Sequence, residues 1–294
     1  QSGELLLDPD TLTVIADGAG DESDFTHNNL SGTDGLIEFP EVGLTNATIK
    51  AETLQTLLNT NNVKLTATDL INVNSSIINA GSTNTLELYS NGAINVNALI
   101  QTNGELIIEA GAGSTIQLNN NVQGSSVYLS ANELSGNAAI TVSDRLNIEQ
   151  ISQSLSYSGT VTGSDATLVT SSANNTFDLT EADKQFKISN ATFTGFSNVT
   201  SGANASINGT LAGEDFIITS TENLLVNETA FSQVTQVDAK VSTQESAIDT
   251  VSGSSNWALT ADGFQASGIT FKNIDVANSG DGGLVTGTAL TNKF

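Results

Sequence analysis

Asp21 and Asp24 in "GDESD" (20–24), with Asp281 in "SGDGG" (279–283), come nearest to metal-ligating residues in type and spacing. Carboxylates in glycine-rich loops suit Ca²⁺, a hard cation that accepts oxygen ligands in flexible geometry. Neither loop has the spacing of an EF-hand or of the nonapeptide calcium repeat, so weakly bound calcium is the most that is expected, and no other cofactor. A glycosidase needs two carboxylates about 5 to 9.5 Å apart across a groove. The pairs available by proximity are Asp8 with Asp10 and Glu181 with Asp183, both in turn-like polar settings where solvated acids are the default. His27, the only histidine, stands in a polar acidic loop, a poor place for the base of a serine nucleophile. Arg145 is the only arginine and the lysines are scattered, so the base of a polyuronate lyase is not in evidence. Cysteine is absent, which removes thiolate ligands and disulfides. No residue is assigned a catalytic role, and the chain is expected not to be an enzyme.

The elements that would have to position such residues are written as a repeat. "INVNSSI", "INVNALI", "IQLNNNV" and "ITVSDRL" begin at Ile71, Ile94, Ile116 and Ile140. Interleaved with them run "VKL" at Val63, "LEL" at Leu86, "LII" at Leu106 and "VYL" at Val127. Two phased series sharing one period define a repeat unit of about 20–24 residues, the signature of stacked supersecondary units. Each unit reads as short strands separated by Asn-, Gly- and Ser-rich turns, residues that tolerate positive φ at a sharp corner. No helical apolar stripe separates the strands, so crossover helices are not expected. This pattern predicts an all-β parallel β-solenoid, with successive windings about 4.8 Å apart. Ile71, Ile94, Ile116 and Ile140 would then form an internal ladder, and Asn74, Asn97 and Asn119 an amide ladder at a corner. About fourteen windings would make a rod of roughly 65 Å at that rise.

The regular repeat occupies 1–150, interrupted by an acidic excursion near 17–35. Residues 151–294 are expected to continue it less regularly or to form a second module. Phe231, Val234, Val237, Val241, Ile248 and Val251 fall at threes, fours and one seven, which admits one short helix near 229–250.

Charged residues make up 14% of the 294-residue chain and hydrophobic ones 38%, so the surface is polar but sparsely charged around an aliphatic core. The net charge of −24 disfavours nucleic acid and anionic membrane, which both need a cationic footprint. There is no basic-then-apolar leader and no run of eighteen apolar residues, so the chain reads as a mature protein or a piece of a longer one. Thr66 and Thr68 form a Thr-x-Thr pair that does not recur at the repeat period, which argues against an ice-binding face.

"GELLLDPDTLTV" (3–14) and "IKAETLQTLLNTNNVKLTATDLINVNSSI" (49–77) resemble the start of the repetitive stalk in filamentous-haemagglutinin-like adhesins, exoproteins of the two-partner-secretion type. The likeness covers roughly 3–150. More loosely, 174–202 and 257–283 are similar to modules repeated in large bacterial surface exoproteins. The resemblance implies a right-handed β-helix, export through an outer-membrane secretion partner, and a secreted, cell-surface location. It implies attachment or aggregation, with partners among surface glycans or proteins of other cells, or other copies of the chain. The family's amino-terminal secretion domain, with its Asn-Pro-Asn-Gly signature, is missing, since neither Pro9 nor Pro40 stands in that context. The expected function is therefore the non-catalytic stalk or passenger of a filamentous adhesin. Two alternatives stay open. One is an extracellular fibre subunit assembling end to end through exposed edges near Leu5 to Leu7 and near Leu284 and Val285. The other is a polysaccharide-processing β-helix enzyme.

Overall fold

A computed structural model describes residues 5–6, 9–18, 37–38, 45–149, 156–240, 248–253, 257–260, 263–278 and 285–286. The chain divides into two compact units, Gln1–Ser164 and Asp165–Phe294. Strands dominate both, as the alternation of apolar and polar residues requires.

The first unit opens with β1 (Leu5–Leu6), β2 (Thr11–Ile15), β3 (Ile37–Glu38) and β4 (Asn46–Lys50), then a helix, α1 (Ala51–Leu58). Repeating triplets of strands follow. They are β5 (Val63–Ala67), β6 (Leu70–Val73) and β7 (Ile77–Asn79), then β8 (Leu86–Ser90), β9 (Ala93–Val96) and β10 (Ile100–Thr102). After β11 (Glu105–Ala110) and β12 (Thr115–Leu118) come two long strands, β13 (Val122–Ser130) and β15 (Ile140–Glu149), with β14 (Glu133–Gly136) between them.

These strands pair in parallel, one repeat apart, as three ladders. The first joins Val63, Leu86, Leu106, Val127 and Leu146. The second joins Ile71, Ile94, Ile116 and Leu134. The third joins Ile77, Ile100, Val122 and Ile140. Alternate residues of each strand point inward, so Ile71, Ile94 and Ile116 are fully buried. Ile140 is a correction to the expected ladder: it stacks on Val122, not on Ile116. The reason is a shorter turn. Four residues, Gly111 to Ser114, separate β11 from β12, but only Ala131 and Asn132 separate β13 from β14. A bulge between Gly124 and Ser126 also alters the count. Residues at the repeat spacing therefore fall on different ladders.

Gly18, Gly113 and Gly136 take positive φ as expected, but two other glycines of this unit do something else. At Gly92 a Cβ would lie 1.8 Å from the Asp69 carbonyl oxygen, and at Gly111 one would lie 1.9 Å from that of Asn91. Neither has positive φ. Glycine is needed there because one layer's backbone presses directly on the next.

Helix α1 overturns the expectation that no helix separates the strands. It buries Ala51, Leu54 and Leu58 on one side. Two turns hold too few apolar positions to distinguish a helical stripe from strand alternation. Lys50 supplies no side-chain cap, but the Glu52 N–H donates to Asp17 Oδ1 at 3.3 Å, bringing an acid to the amino end. Around α1 the first strand of every ladder is covered. β4 pairs with β2, which in turn pairs with β6; α1 packs on β7, and β1 packs on β5.

β16 (Thr160–Thr170) runs across the division between the units. In the second unit β17 (Thr176–Leu179), β18 (Gln185–Ile188) and β19 (Ala191–Asn208) form an antiparallel meander. A second meander is β20 (Asp215–Ser220), β21 (Asn223–Val226) and β22 (Thr229–Asp238). After β23 (Thr250–Ser252) comes a third, β24 (Trp257–Thr260), β25 (Gly263–Ala266) and β26 (Ile269–Lys272), then β27 (Val276–Asn278) and β28 (Val285–Thr286). Phe193, Phe231 and Phe271 occupy the same place in the three meanders, facing Phe186, Leu224 and Phe264 across the antiparallel pair. Parallel pairing then joins the meanders through Ile207, Val237 and Phe271. Phe177, Phe186 and Phe231 meet edge to face in the core, with centroids 5.3 to 5.6 Å apart.

The helix expected near 229–250 is not present where that segment is described: 229–238 is strand β22. Gln233 takes positive φ (64°), and the bend lets Phe231 and Val234 both face inward. A three-residue apolar spacing thus came from an irregular strand. Residues 241–247 lie outside the described residues. The hairpin corners are tight: Ser267 and Gly268, joining β25 to β26, both have positive φ (48° and 82°), as a two-residue turn of matching twist requires.

Candidate functional site

Of the residues singled out from sequence, Asp8, Asp21, Asp24, His27 and Asp281 lie outside the described residues. Asp10, Glu181, Asp183 and Arg145 are exposed. Among the described residues no three His, Cys, Asp or Glu side chains converge as a metal-binding group.

The asparagines behave as a chain of amides. Asn97 Nδ2 donates to Asn74 Oδ1 at 2.8 Å, and Asn119 Nδ2 donates to Asn97 Oδ1 at 2.7 Å. A second pair sits on the second ladder, where Asn95 Nδ2 donates to Asn72 Oδ1 at 3.0 Å. Each amide has one donor and one acceptor suitably placed for the next layer, so the row binds to itself.

The outward side of the first ladder gathers what the sequence scatters. Every second residue of β5, β8, β11, β13 and β15 points out, which places Lys64, Glu87, Tyr89, Glu109, Tyr128 and Glu149 on one face. Lys64 Nζ lies 2.5 Å from Glu87 Oε1 and 5.5 Å from the centre of the Tyr89 ring. Glu109 lies beside Tyr89 on one side and Ser130 on the other, and Ser130 lies beside Glu149. Tyr128 Oη donates to Glu149 Oε2 at 2.9 Å. Partial burial, then the Glu87 charge, raises the Glu109 carboxyl above its usual range, with Lys64 opposing and Glu149 adding. Partial burial and the hydrogen bond to Glu149 push Tyr128 up to about 12.

Glu87, Glu109 and Glu149 thus share a face with Glu105 and with two cations, Lys64, which is already paired, and Arg145. Glu109 and Glu149 stand two strand spacings apart, roughly 9.6 Å between backbones. Chemically this arrangement can attract cations or hydrogen-bond sugar hydroxyls. Sequence reasoning did not find it because Glu87, Glu109 and Glu149 are 22 and 40 residues apart. The signal was the glutamate at the outward position of "LEL", "IEA" and "NIE". Comparison with family models, with curated proteins and with solved structures returns no match.

Proposed function

We propose that this chain is a non-catalytic, secreted β-solenoid, the stalk or passenger portion of a filamentous surface adhesin. In this reading the three ladders of the first unit are the walls of a closed right-handed winding. An outer-membrane partner exports the chain, and its targets are glycans or proteins of other cells. The observation that supports the reading best is the unbroken register of the first ladder, Val63 to Leu86 to Leu106 to Val127, with amides linked layer to layer beside it. Such stacking makes a scaffold whose polar groups are occupied by neighbouring layers, suited to holding other parts at a distance. End-to-end fibre growth ranks second, because β4, α1 and β1 already cover the first strands of the ladders.

The test is attachment in solution. Purified chain should bind whole cells or immobilised glycans and block adhesion of the bacterium that carries it, while leaving polysaccharides intact. Absence of binding to any cell surface would end the adhesin reading. Steady depolymerisation of a glycan, abolished by Glu109→Gln, would move the chain to the enzyme reading. Fibres that lengthen with protein concentration would move it to the polymer reading.

A further inference from the structure

Glu214 and Asp249 are carboxylates removed from water, only 4% and 1% exposed. Each stands one residue ahead of a strand: Glu214 before β20 and Asp249 before β23. Those strands pair in parallel from Asp215 and Thr250 onward, so the two acids occupy matching places in neighbouring layers. Asp275, exposed, holds the same place ahead of β27, which pairs with β23. The backbone is stitched through these side chains. The Glu214 N–H donates to Asp249 Oδ1 at 2.8 Å, and the Asp249 N–H donates to Asp275 Oδ2 at 2.9 Å. Glu214 Oε1 accepts the Thr210 N–H at 2.8 Å. Glu214 Oε2 is buried with no hydrogen-bond partner.

Two adjacent ionised carboxylates out of water repel each other, and an orphaned carboxylate oxygen is costly to bury. Something must compensate, and the surroundings are tight. A Cβ at Gly209 would lie only 2.6 Å from Glu214 Oε2, so the backbone closes over that oxygen. Gly213, at φ +87°, presses the same turn onto Ile248, where a Cβ would meet the backbone nitrogen at 2.7 Å. A proton needs no added space. Asp249 Oδ1 already accepts the Glu214 N–H, so a protonated Asp249 can keep that bond on one oxygen and turn the O–H of the other toward the Glu214 carboxylate.

We infer that Glu214 and Asp249 hold one proton between them, and that this acid–carboxylate pair is a pH-sensitive clasp between neighbouring layers of the second unit. The charges acting on Asp249 are those of Glu214 and Asp275, both acidic, so each disfavours its ionised form. Burial is the largest cause and pushes Asp249 up to about 6, with the Glu214 N–H opposing. A carboxyl raised on folding contributes stability that is complete below its unfolded value of 3.8 and is lost as pH rises through about 6. The clasp is therefore closed in acid and loosened near neutrality.

The test uses the full chain. Carbon-13 carboxyl shifts and the infrared band of a protonated carboxyl report the proton directly, and amide exchange corrected for intrinsic rate reports the joint. The wild type should show one carboxyl protonated at about pH 5, and protection at Glu214 and Asp249 should fall between about pH 5 and pH 7. Asp249→Asn, whose amide can make the same donation without titrating, should abolish the band and keep protection constant with pH. Glu214→Gln is the second variant: it removes the facing charge but not the burial, so Asp249 should titrate lower than in wild type while staying above an ordinary aspartate. Two ionised carboxylates at pH 5 would overturn the inference. So would Ca²⁺ raising the thermal midpoint of wild type but not of Asp249→Asn, since the compensating group would then be a cation. If neither variant folds, protonation and exchange in the wild type still decide.

Discussion

Asn97 and Asn74 are 23 residues apart, yet the amide of one donates to the carbonyl oxygen of the other at 2.8 Å. Asn97 in turn accepts from Asn119. One side chain therefore serves as both donor and acceptor in a row that follows the stacking direction. Asn97→Ala removes both bonds at an exposed corner, where each is worth about 0.5 to 1 kcal/mol. The expected loss is about 1 kcal/mol in urea denaturation, with Asn97→Asp falling between Ala and wild type because it still accepts from Asn119. No loss in either variant would show that the row is decorative.

Gly92→Ala is expected to destabilise strongly, although alanine normally favours a folded backbone at negative φ. The new Cβ would lie 1.8 Å from the Asp69 carbonyl oxygen, so a layer must shift. Overpacking of this kind costs about 1 to 3 kcal/mol or more. Gly113→Ala provides the contrast: it has open space but φ +83°, and should cost about 1 kcal/mol from conformation alone. Thermal midpoints of the two variants should rank in that order.

Leu54, on the inward side of α1, is fully buried, and the helix covers β7. Leu54→Ala should cost about 2 to 5 kcal/mol. Its local consequence should be early exchange of the Ile77 to Asn79 amides. Leu54→Asp should free the ends of the ladders and bring concentration-dependent association, visible in light scattering. A monomer with unchanged exchange would contradict the covering role of the helix.

Glu109 carries a carboxyl raised by partial burial and by Glu87 and Glu149. The folded state therefore holds this proton more tightly than the unfolded chain, and the stability it contributes at low pH is lost as pH rises through its folded value. Glu109→Gln should remove that loss and raise the thermal midpoint near neutrality relative to wild type, with the two converging in acid. A variant less stable than wild type at neutral pH would mean that Lys64, not the other acids, dominates its surroundings.

The order of residues by itself determined that the chain is mostly strand and that Val63, Leu86, Leu106 and Val127 share one ladder. It also placed Asn74, Asn97 and Asn119 in a row. Alternation marks which residues turn inward, and a constant interval marks which of them stack while turns keep one length. Tertiary structure decided the rest. Ile140 changed ladder because a turn shortened without disturbing the alternation around it. The second unit turned antiparallel within its meanders because period-two alternation is the same for either strand direction. α1 formed because Leu54 and Leu58 found β7 to cover. The faces that gather Glu109 with Glu149, and Glu214 with Asp249, exist only once segments 35 to 40 residues apart lie side by side. The environment of a carboxyl is set by those distant neighbours, which local residue order does not contain.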